Sequence, residues 1–306
     1  MASSDFTSRA SSLAGEALGV ALLLSIGEGF GAIATLLPGN YAIWQVAIAW
    51  GVGLVLAIHV ASKLSNAHLN PAVSIALHLD GSNKMTATDM ALYLCGQFIG
   101  AFAAAALVYG CFRSHIESLQ RDGTTLSMLT GASIFACYFP PPGNTYVDPY
   151  EAVTPQRAFF LEFLATASLL VVIKAMAHEP ANDPQREQLG LLSRPAPKPS
   201  VWLPSSVLGV TLAILIVLIA PMTQCCLNPC RDLAPRVLLW LCGYGQIAFP
   251  GPRKIELWLY MVAPTAGAIA GAFGYNLVVR LKEQQRLKSK EESEPGSPRV
   301  ARASAL

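Results

Sequence analysis

The chain has 306 residues, 53% of them hydrophobic and only 13% charged, with a formal net charge of +2. Ordinary soluble domains carry about 25% charged residues, so this composition points to a lipid bilayer. The basic residues are dispersed or confined to tails, which excludes a nucleic-acid partner. Seven cysteines occur without a paired CxxC or a His–Cys cluster at metal spacing, so they read as buried apolar thiols. Neither a metal nor a cofactor is expected.

Residues 1–12, rich in Ser and Thr, read as a flexible tail. About 20 apolar residues cross a bilayer as a helix, and six stretches qualify: 13–36, 44–64, 88–112, 157–177, 201–221 and 256–279. The first lacks a basic n-region and an evident cleavage site, so it reads as a retained helix and not a signal peptide. Between the second and third spans lies His68-Leu69-Asn70-Pro71-Ala72, opening a short apolar run over about 71–80. The connection 113–156 is long, and 178–200 is rich in Pro and charge. After the fifth span comes Cys226-Leu227-Asn228-Pro229-Cys230, opening a second short run over about 229–240. Residues 280–306 read as a disordered tail carrying Arg280, Lys282, Arg286, Lys288, Lys290, Arg299 and Arg302. Positive charge marks the cytoplasmic side. With six spans, both termini and 178–200 then lie inside, and 113–156 lies outside.

The spans fall into two halves, 13–156 and 157–279. Glu16 opens the first half and Glu162 the second, and the Asn-Pro pairs follow them by 54 residues (16 to 70) and 66 residues (162 to 228). Three spans per half give the second half the opposite polarity. The expected fold is therefore an all-α membrane protein, with six transmembrane helices and two re-entrant half-helices in an inverted repeat. Such repeats place a site at their interface near the midplane.

Asn is a strong N-cap and Pro is favoured at the first helical position, so each Asn-Pro pair starts a helix. Ten residues reach about 15 Å, half the hydrocarbon core. Irregular backbone at that depth is tolerated only where protein buries it or water bathes it. Two half-helices meeting N-terminus to N-terminus put about half a positive charge each at one point. That arrangement repels cations and lets the Asn70 and Asn228 amides donate to a passing oxygen.

Charged side chains at membrane depth mark function. Arg231, one turn into the second half-helix, offers several fixed donors and reads as a pore-lining selectivity residue. Asp232 reads as holding a loop or the half-helix. Glu16 and Glu162 read as braces accepting backbone N–H groups. His68 either turns its ring to the lumen or packs.

The strings His68-Leu69-Asn70-Pro71-Ala72-Val73 and Asn228-Pro229-Cys230-Arg231-Asp232-Leu233-Ala234-Pro235-Arg236 resemble the signature boxes of the major intrinsic proteins. Similarity runs from about Glu16 to Tyr275, with Asp232 and Arg236 resembling the aquaglyceroporin branch. The resemblance implies a right-handed six-helix bundle, one pore per protomer and a homotetramer. It also implies a four-residue filter at Trp50, Ile216, Cys225 and Arg231. In glycerol conductors the first position is aromatic, as here. Ile216 stands where they commonly carry Gly, and Cys225 where they usually carry an aromatic. Cys230 replaces the usual Ala, and Tyr260 stands where glycerol-type relatives tend to have Pro. The expected activity is passive conduction of water and small neutral solutes such as glycerol across the plasma membrane, with protons and ions excluded and no enzymatic step. A water-selective aquaporin and a secondary transporter are the alternatives.

Overall fold

A computed structural model describes residues 2–37, 39–83, 85–143, 149–177 and 201–293. Among these residues there are ten α-helices and no strand. In chain order they are α1 (Ala2–Leu36), α2 (Ile43–Ala61), α3 (Pro71–Leu79), α4 (Ala87–Asp122), α5 (Thr125–Ala132), α6 (Pro149–Ala152), α7 (Pro155–Ala177), α8 (Trp202–Thr223), α9 (Pro229–Leu241) and α10 (Glu256–Ser293). Six of them, α1, α2, α4, α7, α8 and α10, are long and apolar enough to cross a membrane.

Both short helices begin as their N-caps dictate. Asn70 is extended (φ −160°) and its side chain accepts from the Ala72 N–H, with Pro71 in the first turn. Asn228 (φ −143°) accepts from the N–H groups of Cys230 and Arg231, with Pro229 in the first turn.

Three expected boundaries shift. Helix α1 runs back through residues 2–12 instead of leaving them as a flexible tail. Its start is tied to the bundle by Arg9 Nε on Asp89 (3.0 Å) and by Ser11 Oγ donating to the Leu64 carbonyl (3.1 Å). Helix α4 continues past 112 to Asp122, with a non-helical Phe112 (φ −110°, ψ 15°) marking a kink, and Gly123 ends it at φ 70°. The connection 113–156 is therefore partly helical. Helix α10 continues to Ser293 through residues such as Lys282, Glu283, Gln284 and Arg286, which are good helix formers. The expected loop 178–200 and the end of the chain from 294 lie outside the described residues.

The packing repeats the two-fold pattern. Helix α1 lies on α2 and α4, and α7 lies on α8 and α10; α2 meets α8 across the halves. Each half-helix is held by the last span of the other half, α3 by α10 and α9 by α4. Helix pairs in lipid approach closely through small residues, and the repeat does this twice. A Cβ on Gly96 or Gly100 of α4 would overlap the Leu13 and Ala17 carbonyls of α1, and one on Gly267 or Gly271 of α10 would overlap those of Phe163 and Ala167 on α7. Where the halves cross, a Cβ on Gly51 would lie 2.6 Å from the Gly209 carbonyl, and the converse distance is also 2.6 Å.

Outward faces are apolar, with Val210, Leu218 and Leu203 more than half exposed. Trp44, Trp202 and Trp258, all exposed, sit in the first turns of α2, α8 and α10, the helix-end placement that interfacial tryptophans favour. Trp50 is the inward exception.

Candidate functional site

The two segments that lead into the half-helices are built alike. Glu16, buried on α1, accepts from Ser65 Oγ (2.7 Å), the His68 N–H (3.0 Å), the Leu69 N–H (2.7 Å) and Gln97 Nε2 (2.7 Å). Glu162, buried on α7, accepts from Thr223 Oγ1 (2.7 Å), the Cys226 N–H (2.9 Å) and the Leu227 N–H (2.9 Å). Ser65 and Thr223 each stand five residues before their Asn, and each hydroxyl also accepts from the N–H two residues on, Ala67 or Cys225. In both segments the residues three and one before Asn have left-handed backbone: Ala67 (φ 51°) and Leu69 (φ 54°), then Cys225 (φ 54°) and Leu227 (φ 54°). Non-glycine residues hold that conformation only where their surroundings over-determine it. Here the buried carboxylates supply that restraint.

At the meeting point the amides cross over. Asn70 Nδ2 donates to the Leu227 carbonyl and Asn228 Nδ2 to the Leu69 carbonyl, both at 2.8 Å. Each primary amide carries a second N–H, and both asparagines line one cavity of about 850 Å³. The same cavity is lined by Trp50, Ile216, Cys225, Arg231 and His68. All four expected filter residues and both asparagines are thus brought together.

Arg231 forms the polar wall. Its Nη1 donates to the Phe135 carbonyl (2.6 Å), and its guanidinium carbon lies 4.9 Å from the centre of the Trp50 ring. The indole fits because residue 27 is glycine: a Cβ there would overlap the Trp50 ring. Ile216, Cys225 and Leu227 pack in one apolar cluster with Trp50 against it, and all of them line the cavity. His68 lines the cavity and is also partnered: its Nδ1 lies 3.1 Å from Ser74 Oγ, and its ring lies 5.0 Å from that of Tyr93.

Asp232 and Arg236 are fully buried and hold the segment that follows α5. Asp232 accepts from the Cys137 N–H (2.7 Å) and from Arg236 Nε (2.5 Å). Arg236 also donates to the carbonyls of Ala248 and Cys137. Gln224 closes the frame, accepting from the Tyr138 N–H (2.7 Å) and donating to the Ser133 carbonyl (2.9 Å). Cys230 is not among the residues lining the cavity; it belongs to an apolar cluster with Val20, Leu24 and Ala101, its thiol 3.1 Å from Asn228 Oδ1. Tyr260, also buried, donates its hydroxyl to the Thr223 carbonyl (2.8 Å).

Several participants carry no motif of their own. Ser65 and Thr223 become visible only when the two Asn-Pro boxes are aligned. Phe135 contributes a carbonyl, which side-chain identity does not report. Glu28 on α1 is fully buried and interacts electrostatically with Arg231, yet among the described residues neither carboxylate oxygen has a hydrogen-bond partner. Its charge at membrane depth was the available signal. At the far end of α3, Asp80 accepts from Lys174 Nζ (2.8 Å) and Asn276 Nδ2 (3.1 Å), tying α3 to α7 and α10. Partial burial pushes the Asp80 carboxyl up, but the hydrogen bonds from Lys174 and Ser82 outweigh it and hold the group below the ordinary carboxylate range.

Comparison with known proteins gives one consistent result. The family described as Major intrinsic protein matches residues 3–275. The glycerol uptake facilitator protein of Pseudomonas aeruginosa is 34% identical over 269 residues, covering 86% of this chain and 87% of its own. The glycerol uptake facilitator protein of Escherichia coli is 30% identical over 290 residues, covering 94% and 95%. The X-ray structure of the aquaglyceroporin from Plasmodium falciparum superposes with a TM-score of 0.70 at 26% identity, covering 89% of this chain and 97% of that one.

Proposed function

Because the chain belongs to the major intrinsic protein family, we propose that it is a passive channel for glycerol, water and similarly small neutral solutes. One observation carries the reading: a single cavity is lined by both Asn amides, by Arg231 and by Trp50. A polyol is amphipathic along its length. Its carbon edge matches Trp50 and Ile216, while its hydroxyls match the free donors of Arg231 and the asparagines. A site that hydrogen-bonds hydroxyls discriminates strongly against solutes lacking them, because its own donors would be left unpaired. The closely similar glycerol uptake facilitators support the same substrate class.

Exclusion of protons and cations follows from the positive helix ends at Asn70 and Asn228 together with the Arg231 charge. No chemical step is required. The positive-inside bias supports cytoplasmic termini, the membrane proposed is the plasma membrane, and the exposed apolar helix faces support contact with lipid and packing as a homotetramer.

Stopped-flow light scattering on proteoliposomes tests this directly. Glycerol and water permeabilities should both rise well above protein-free vesicles, and flux should be linear in the gradient. Water flux with glycerol at background would leave a water-selective pore. Saturable, gradient-coupled uptake would leave a secondary transporter.

A further inference from the structure

Behind the Cys225 wall lie two thiols that conduction does not use. Cys137, on the segment after α5, and Cys226, next to Cys225 in the chain, are both buried. With Asp232 they bring two sulfurs and a carboxylate oxygen within 4.8 Å of one another. Neither cysteine is in a disulfide. The Cys226 thiol lies 3.4 Å from the Asn228 carbonyl and also hydrogen-bonds with the Cys137 thiol, so the two sulfurs already face each other. Asp232 already accepts from the Cys137 N–H and Arg236, which orients it, and each carboxylate oxygen keeps a further lone pair. Cys226 borders the cavity, which places one of the three ligand residues at the lumen wall.

We propose that Cys137, Cys226 and Asp232 form a site for a soft divalent cation such as cadmium or zinc, and that filling it slows conduction. Two sulfurs and one oxygen suit thiophilic ions, with metal–sulfur bonds near 2.3 Å and metal–oxygen bonds near 2.1 Å. At tetrahedral angles such bonds set ligand separations of about 3.6–3.8 Å, so the three ligand atoms draw together by up to about 1.2 Å, a shift available to thiol rotamers. The exchange balances: one divalent ion forms two metal–sulfur bonds and releases two protons, so the net charge beside Arg231 and Arg236 is unchanged. A hard cation, lacking thiolate affinity, gains nothing here. Pulling Cys226 toward Cys137 also moves its neighbour Cys225, a filter wall, and stretches the hydrogen bond that Glu162 accepts from the Cys226 N–H.

The test uses the full-length protein in detergent and in proteoliposomes, with cadmium as the probe. Titration should produce a thiolate-to-cadmium charge-transfer band in the ultraviolet that saturates at one ion per protomer. Cys137→Ser and Cys226→Ser should each abolish it, and Cys225→Ser should keep it. No band, or a band that survives Cys137→Ser, overturns the site. Because Cys137 stands outside the lumen, the Cys137→Ser channel reports on coupling: cadmium should slow water flux several-fold in the native protein and not in this variant. Equal slowing in both, or none in the native protein, overturns the link to conduction. The binding readout is independent of which solute the channel carries, so its failure is distinguishable from failure of the glycerol reading. Should Cys137→Ser prove unstable, Cys137→Ala gives the same readouts.

Discussion

The two Asn-Pro boxes share a scaffold and differ in chemistry. Both leads are clamped by a buried glutamate, both alternate left-handed residues at matched places, and the amides exchange one hydrogen bond each at 2.8 Å. One turn into each half-helix the likeness ends. Val73 on α3 corresponds to Arg231 on α9, and Ser74 corresponds to Asp232. Ser74 accepts from Gln97 of α4 and contacts His68, keeping its half self-contained. Asp232 and Arg236 instead capture the segment that follows α5, and that segment presents Phe135 to Arg231. Symmetry thus builds the pore, and the break in symmetry places a cationic wall on the α9 side.

The largest effects should come from attacking the shared scaffold. Glu16→Ala and Glu162→Ala each strand two backbone N–H groups, at about 1–3 kcal/mol apiece. Thermal unfolding in detergent should drop for both variants by comparable amounts, and conduction should be lost. A large fall for one and none for the other would show that the halves are not equally braced.

Next comes the asymmetric wall. Arg231→Val copies Val73 onto the other half and removes a charge-assisted donor worth about 1.5–3 kcal/mol. Permeability to solutes or ions that the native channel excludes should rise about tenfold or more, read by the same stopped-flow series with larger polyols and by ion-flux assays. Unchanged selectivity would take Arg231 out of the filter. A thiol probe addresses the apolar lining: mercurials should block the native channel reversibly, and Cys225→Ser should remove most of the block. Full block persisting in that variant would assign it to another cysteine. Tyr260→Phe removes only the hydrogen bond to the Thr223 carbonyl. It should lower stability by about 0.5–1.5 kcal/mol and leave the solute order intact, as thermal unfolding and permeability would show.

What the chain declared in advance follows the same division. Spans, half-helices and the paired glutamates were legible, because apolar length, Asn-Pro capping and an acidic residue at depth are each local signals. The four proposed filter residues were reached through family resemblance, and all four line one cavity. The connection after α4 was not legible. Its fold depends on Asp232, Arg236 and Gln224 arriving from far along the chain, and what it offers Arg231 is a backbone carbonyl. The extension of α1 was hidden for a similar reason. A Ser/Thr-rich stretch reads as tail until the Arg9 contact to Asp89, 80 residues away, gives it a partner.

Cys230 is where the smallest change tests the comparison most finely. In the first box Ala72 donates its N–H to Asn70 Oδ1 at 2.9 Å. In the second, Asn228 Oδ1 is shared by the Cys230 N–H (3.2 Å), the Arg231 N–H (3.5 Å) and the Cys230 thiol (3.1 Å). The added thiol donor accompanies a longer cap. Cys230→Ala removes that donor and lets the cap tighten toward its partner's geometry, a gain of a few tenths of a kcal/mol on the scale of capping effects. It also leaves a sulfur-sized void among Val20, Leu24 and Ala101, costing about 1 kcal/mol. The two nearly cancel, so unfolding should shift by less than about 1 kcal/mol and water permeability should stay at the native value. A several-fold change in water permeability would mean that the thiol, through Asn228 Oδ1, sets the direction in which the amide faces the lumen, and that the symmetry of the two boxes already breaks at the cap.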